Sequence, residues 1–146
     1  MKQILFFDDE PFITKMLIEN LQKNHGWDRE HLGEIIFVST PTELFNKIGD
    51  NSIRYDLFVL DIMVPVDQIE KMSSFSKEEI EKMQNGDNTG VVIAETIRKT
   101  ANYKETPIMF LSARIQPSKM MDNADYLEKP VFASDLSEKM KKMLKI

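Results

Sequence analysis

Leu57-Phe58-Val59-Leu60 is apolar at every position and is followed at once by an acid, Asp61. A short run with no polar face suits a central strand covered on both sides, and sheets buried on both faces are characteristically parallel. Parallel neighbours need crossovers of a dozen or more residues, usually helical, so the rest of the chain must alternate strands with helices. It does so. Ile4-Leu5-Phe6-Phe7 reads as a first strand, and Pro11 fits an opening helical position whose N–H would have no partner there. Ile13, Met16, Leu17 and Leu21 give that helix an apolar face, and Gly26 stops it. Ile35-Ile36-Phe37-Val38 is a second strand. Thr40-Pro41-Thr42-Glu43 is a capping box for a second helix, which buries Leu44, Phe45 and Ile48 and ends at Gly49.

The pattern continues to the end of the chain. Residues 90–99 form a helix that buries Val91, Ala94 and Ile97. Pro107 introduces a strand over 108–111 that ends at Ser112, and a fifth strand over 125–127 runs into Glu128-Lys129-Pro130. A closing helix places Leu136, Met140 and Met143 on one face, while Lys139, Lys141, Lys142 and Lys145 suit the negative end of its dipole. The expectation is five strands and five helices in one α/β domain, residues 1–146, long enough to bury about two-thirds of the unfolded surface.

Composition narrows the chemistry. The absence of cysteine excludes a disulfide framework, a thiolate zinc site and a cysteine nucleophile. A net charge of -5 argues against nucleic-acid binding through a general basic surface. No apolar stretch has the length of a signal peptide or membrane span, so a cytoplasmic location and no membrane insertion are expected. The lysines of the last helix read more simply as a solvated face than as a membrane-binding surface.

The charged residues sit at the ends of the apolar runs: Asp8-Asp9, Asp61 and Lys129-Pro130. In a parallel sheet these ends share one edge, where open α/β folds place their ligand sites. Packed carboxylates repel, which raises the pKa of at least one unless a cation neutralises them. A hard divalent metal suits an all-oxygen site, and a phosphoryl group is the natural anion to join it. Singly, each signal has a plain structural reading: a helix cap or solvated turn for Asp8-Asp9, a turn acid at Asp61, an ordinary hydroxyl at Ser112, a surface loop at Lys129-Pro130. Jointly, four strand ends supply the acids, the hydroxyl and the lysine that phosphoryl transfer calls for.

With these residues in place, the sequence resembles the receiver domain of two-component response regulators. The matching segments are Ile4-Leu5-Phe6-Phe7-Asp8-Asp9-Glu10-Pro11, Leu60-Asp61-Ile62-Met63-Val64-Pro65, Phe110-Leu111-Ser112-Ala113 and Ala124-Asp125-Tyr126-Leu127-Glu128-Lys129-Pro130. The resemblance implies a flavodoxin-like (βα)5 fold, a five-stranded parallel sheet of order 2-1-3-4-5 with helices on both faces. It implies that Asp61 is the phosphoacceptor, served by a phosphohistidine on a histidine kinase or histidine phosphotransfer protein. Asp9 would bind Mg2+ directly, Asp8 mainly through water, and Asp61 and the backbone carbonyl of Met63 would be further ligands. Lys129 would pair with a phosphoryl oxygen and Ser112 would donate to another, with a cis peptide bond between Lys129 and Pro130. Ser112 and Tyr126 would form the switch pair, the ring turning inward as the hydroxyl moves toward the phosphoryl group. Such a chain is a signalling domain rather than an enzyme, its chemistry confined to self-catalysed phosphotransfer and dephosphorylation.

The chain departs from the family pattern at two places. Receivers reach a glycine soon after the proline that follows the phosphoacceptor, but here residues 66–89 intervene between Pro65 and Gly90. Within this insertion Ser76-Lys77-Glu78-Glu79 is a capping box, Phe75 and Ile80 are spaced as a hydrophobic staple, and Asn85-Gly86 is a stop, so a helix over 77–84 is expected. Two readings stand: a flap that shapes access to Asp61, or a tolerated surface loop. The connection between Ser112 and Tyr126 is short, contains Pro117, and leaves room for only a turn or two over 118–122. Met63 and Arg114 would neighbour the site and bear on the lifetime of the phosphorylated state.

The favoured reading is a stand-alone receiver that controls a downstream protein contact or relays its phosphoryl group. One alternative is a scaffold that keeps the receiver fold without phosphorylation. Another is a haloacid-dehalogenase-type phosphatase, which wants two aspartates one residue apart after the first strand, where this chain has Asp8, Asp9 and Glu10.

Overall fold

The computed structural model describes residues 1–61, 76–84, 89–112 and 121–146. The strands are β1 (Lys2–Phe7), β2 (Gly33–Val38), β3 (Leu57–Asp61), β4 (Ile108–Ser112) and β5 (Ala124–Glu128). Among the described residues the α-helices are α1 (Pro11–His25), α2 (Pro41–Gly49), α3 (Lys77–Gln84), α4 (Thr89–Lys99) and α5 (Ala133–Leu144), with a 3-10 turn at Ala101–Tyr103. All four strand pairings are parallel, in the order β2-β1-β3-β4-β5. The expected architecture is the observed one.

Side-chain alternation along the strands builds two cores. Leu5, Phe7, Phe58, Leu60 and Phe110 point to the face covered by Leu44 and Ile48 of α2 and by Val92, Ile93 and Ile97 of α4. Ile4, Phe6, Leu57, Val59 and Met109 point to the other, covered by Ile18 and Leu21 of α1 and by Leu136 and Met140 of α5. All five residues of β3 are buried, as a run without a polar face requires. Each fully buried large apolar side chain stabilises the fold by about 1.5–3 kcal/mol relative to exposure. Trp27 is fully buried and donates its indole N–H to Ser137 Oγ at 2.9 Å, joining the end of α1 to α5.

Local signals act where the sequence puts them. Gly26 caps α1 at φ 75° with its N–H on the Leu21 carbonyl. Thr40 Oγ1 accepts the Glu43 N–H at 3.2 Å, and the Glu43 carboxylate accepts from the same hydroxyl. The apolar face of α1 is rotated from the expected one: Thr14, Ile18 and Leu21 are buried, whereas Ile13 and Met16 are 65% and 61% exposed. Helix α3 packs against α4, and Ile80 is partly buried on the core. Phase and length also matter at the margins, because β5 runs one residue further at each end than its apolar residues suggest.

Of the remaining expectations, Met63, Arg114, the staple residue Phe75, the stop at Asn85-Gly86 and residues 118–120 lie outside the described residues, while Asp122 sits in a turn. Among the described residues no helix is long and apolar enough to cross a membrane.

Candidate functional site

The parallel register brings the strand ends together. Phe7 pairs with Leu60 and Asp61 with Leu111, so Asp8, which follows β1, falls beside Asp61, which ends β3. Ser112 ends β4 opposite Glu128, and Lys129 is the next residue after β5. Asp8 and Asp61 are only 3% and 2% exposed, while Asp9 is half-buried. One carboxylate oxygen from each of Asp8, Asp9 and Asp61 lies within 4.8 Å of the others. The peptide bond between Lys129 and Pro130 is cis.

Local hydrogen bonds fix the first acid. The Asp8 N–H donates to the Val38 carbonyl, and Asp8 Oδ1 accepts the Glu10 N–H at 2.9 Å, leaving Oδ2 turned to the lysine. Lys129 Nζ donates to Asp8 Oδ2 at 3.3 Å and stands 3.5 Å from Asp61 Oδ1. Burial works against the charge on Lys129, but Asp61 and then Asp8 outweigh it, and the ammonium is held above its ordinary pKa. Three carboxyl groups face one ammonium here, so the acids outnumber the cation that balances them. Buried charges left unbalanced are costly. Three carboxylate donors at this spacing, all of them hard oxygen ligands, fit a small divalent cation.

Tyr126 is central in β5 and half-buried. Beside the acids, Asp8, Thr14 and Lys129 share a cavity of about 360 Å³ with Ile13, Leu111 and Val131. That cavity and the exposure of Ile13 on its lining were not legible in the sequence, since apolar residues at helical spacing read first as core. Lys139, whose ammonium stands over Tyr126, reads from the sequence as a solvated lysine that complements the helix dipole. A lysine one to two turns inside a helix that faces an edge strand is the signal that points to it.

No family model and no curated protein matches the chain in sequence. In structure it is similar to the chemotaxis protein CheY4 of Vibrio cholerae, with a TM-score of 0.69 and 21% identity over 98% of each chain. It is also similar to a two-component response regulator of Clostridium difficile, with a TM-score of 0.66 and 21% identity over 99% of this chain and 97% of that one. The response regulator TrrA of Thermotoga maritima, in complex with Mg2+-BeF, is 29% identical at a TM-score of 0.64, over 98% of this chain and 99% of that one. The chain therefore has the flavodoxin-like receiver fold of the two-component response regulators.

Proposed function

We propose that the chain is a phosphorylation-controlled signalling receiver in which Asp61 accepts a phosphoryl group from a phosphohistidine on a histidine kinase or histidine phosphotransfer protein. The observation that carries this reading is three carboxylates meeting within 4.8 Å, with one lysine against two of them. An Asp61 oxygen attacks phosphorus, the P–N bond breaks, and its electron pair leaves on the imidazole nitrogen. Positioning and charge balance are most of what such a transfer needs from a protein. Lys129, kept protonated by its neighbours, pairs with one phosphoryl oxygen, and Ser112 on the adjacent strand end donates to another.

Asp8, Asp9 and Asp61, with the Met63 carbonyl, are the residues that would hold Mg2+. When bound, the ion neutralises charge shared by the carboxylates and the phosphoryl oxygens. The likeness to TrrA, a complex with Mg2+-BeF, supports this assignment. Ser112 and Tyr126 are assigned the switch that passes phosphorylation to a downstream protein.

A phosphoryl donor has to bring its histidine to Asp61, and exposed apolar residues give it a surface to meet. Ile13 shares the cavity with Asp8 and Lys129, and Phe12, Met16 and Phe132 are more than half exposed. Residues 66–89, which follow closely on Asp61 in sequence, are assigned as an insertion after β3, either shaping access to Asp61 or serving as a tolerated surface loop.

The test is incubation of the protein with Mg2+ and a small acyl phosphate, followed by intact-mass spectrometry. One phosphoryl adduct that needs the metal is expected. No adduct at any donor concentration overturns the reading and leaves the non-phosphorylated scaffold in its place.

A further inference from the structure

We infer that Lys139 is a positioning residue that pins the ring of Tyr126 in one orientation, and so sets the balance of the switch. This rests on the reading of Tyr126 as a switch residue. Strand β5 is an edge of the sheet, so backbone groups facing away from β4 need other partners. At Tyr126 side chains supply both. Its N–H donates to Asp125 Oδ1 at 2.8 Å, and its carbonyl accepts from Lys139 Nζ at 3.0 Å.

The ammonium is itself anchored by Asp125 Oδ1 at 3.2 Å. From that fixed point it stands 5.8 Å from the centre of the Tyr126 ring, within the range where a cation and an aromatic face attract. With 27% of the Lys139 side chain exposed, water screens this attraction only in part. Carboxylate and carbonyl hold the ammonium whatever the ring does, so a ring that turns away loses the cation rather than carrying it along. The attraction therefore favours one ring position over the others. At ordinary strength it shifts that preference about two- to fivefold.

Ring signals of the three tyrosines, read by NMR on 13C-tyrosine protein, test the tether directly. In Lys139→Met the Tyr126 signal moves while those of Tyr55 and Tyr103, buried away in the core, stay and report an intact fold. In Lys139→Arg the Tyr126 signal stays near its original place. A Tyr126 signal unchanged in Lys139→Met overturns the proposal.

Titration with beryllofluoride and Mg2+ tests the bias. Lys139→Met is expected to change the affinity about two- to fivefold, and the difference is expected to vanish when Tyr126→Leu is added. A difference that persists in Tyr126→Leu, or no difference at all where beryllofluoride does bind, contradicts the bias. Failure of any form to bind beryllofluoride would count against the phosphoacceptor reading, and the ring signals would still decide the tether.

Discussion

Lys129 holds its ammonium 3.5 Å from Asp61 Oδ1, and the attraction of Asp61 and Asp8 outweighs the burial that would favour the neutral amine. The same contact that would stabilise a transferred phosphoryl group therefore already balances charge in the resting protein. Replacing the lysine by a neutral side chain of similar length exposes how much depends on it.

Lys129→Met is expected to lower the stability of metal-free protein by about 1–3 kcal/mol, because Asp8 and Asp61 are left facing each other without their partner. Urea melts give the difference, and added Mg2+ should shrink it by replacing the lost positive charge. An unchanged urea midpoint would mean that the ammonium contributes nothing to the resting fold. The pH dependence has a definite sign: a folded-state pKa above the usual 10.5 makes the contribution of Lys129 complete below about that pH, and it fades as pH rises through the folded value.

Tyr55 adds a second alkaline effect. Burial pushes its phenol up to about 12 from 10.0, and among the described residues its hydroxyl has no hydrogen-bond partner. Below pH 10 the phenol is neutral in both states and adds no pH dependence, and stability falls as pH climbs from 10 toward 12 because burial resists the ionisation that the unfolded chain undergoes. Tyr55→Phe removes an unpaired buried hydroxyl, so it should be neutral or stabilising by up to about 1–3 kcal/mol, and should lessen the alkaline loss. Denaturation at pH 8 and pH 11 checks both, and clear destabilisation at pH 8 would refute the account of this hydroxyl.

Gly33 opens β2 opposite Lys2, and a Cβ built there would meet the Lys2 carbonyl oxygen at 2.5 Å and Lys2 Cβ at 2.9 Å. Because the obstacle is backbone, it yields only if β1 and β2 separate. Gly33→Ala should cost about 1–3 kcal/mol. A urea midpoint equal to that of the parent would show that the strands part more freely than their spacing implies.

The centre of the sheet was legible because its inner strands are apolar on both faces, as in Leu57-Phe58-Val59-Leu60, so burial and sequence carry the same message. The site was legible for a related reason: in a parallel sheet the residues at or just past the end of each strand must share an edge, and Asp8, Asp61 and Lys129 occupy those positions. The face of α1 was harder. Its Ile13 and Met16 look like core by spacing, yet the helix turns the polar Thr14 inward beside the site and leaves both apolar chains outside. Lys139 was hidden because a lysine late in a helix has a sufficient explanation in the dipole, and its meeting with Tyr126 depends on how α5 settles on β5.

If the carboxylate at the end of β3 is the phosphoacceptor, the location of the phosphoryl group decides it. After reaction with an acyl phosphate and Mg2+, reductive trapping followed by peptide mass spectrometry should find the modification on Asp61, and Asp61→Asn should abolish it. A modification mapped to any other residue, or one that survives in Asp61→Asn, would contradict the account.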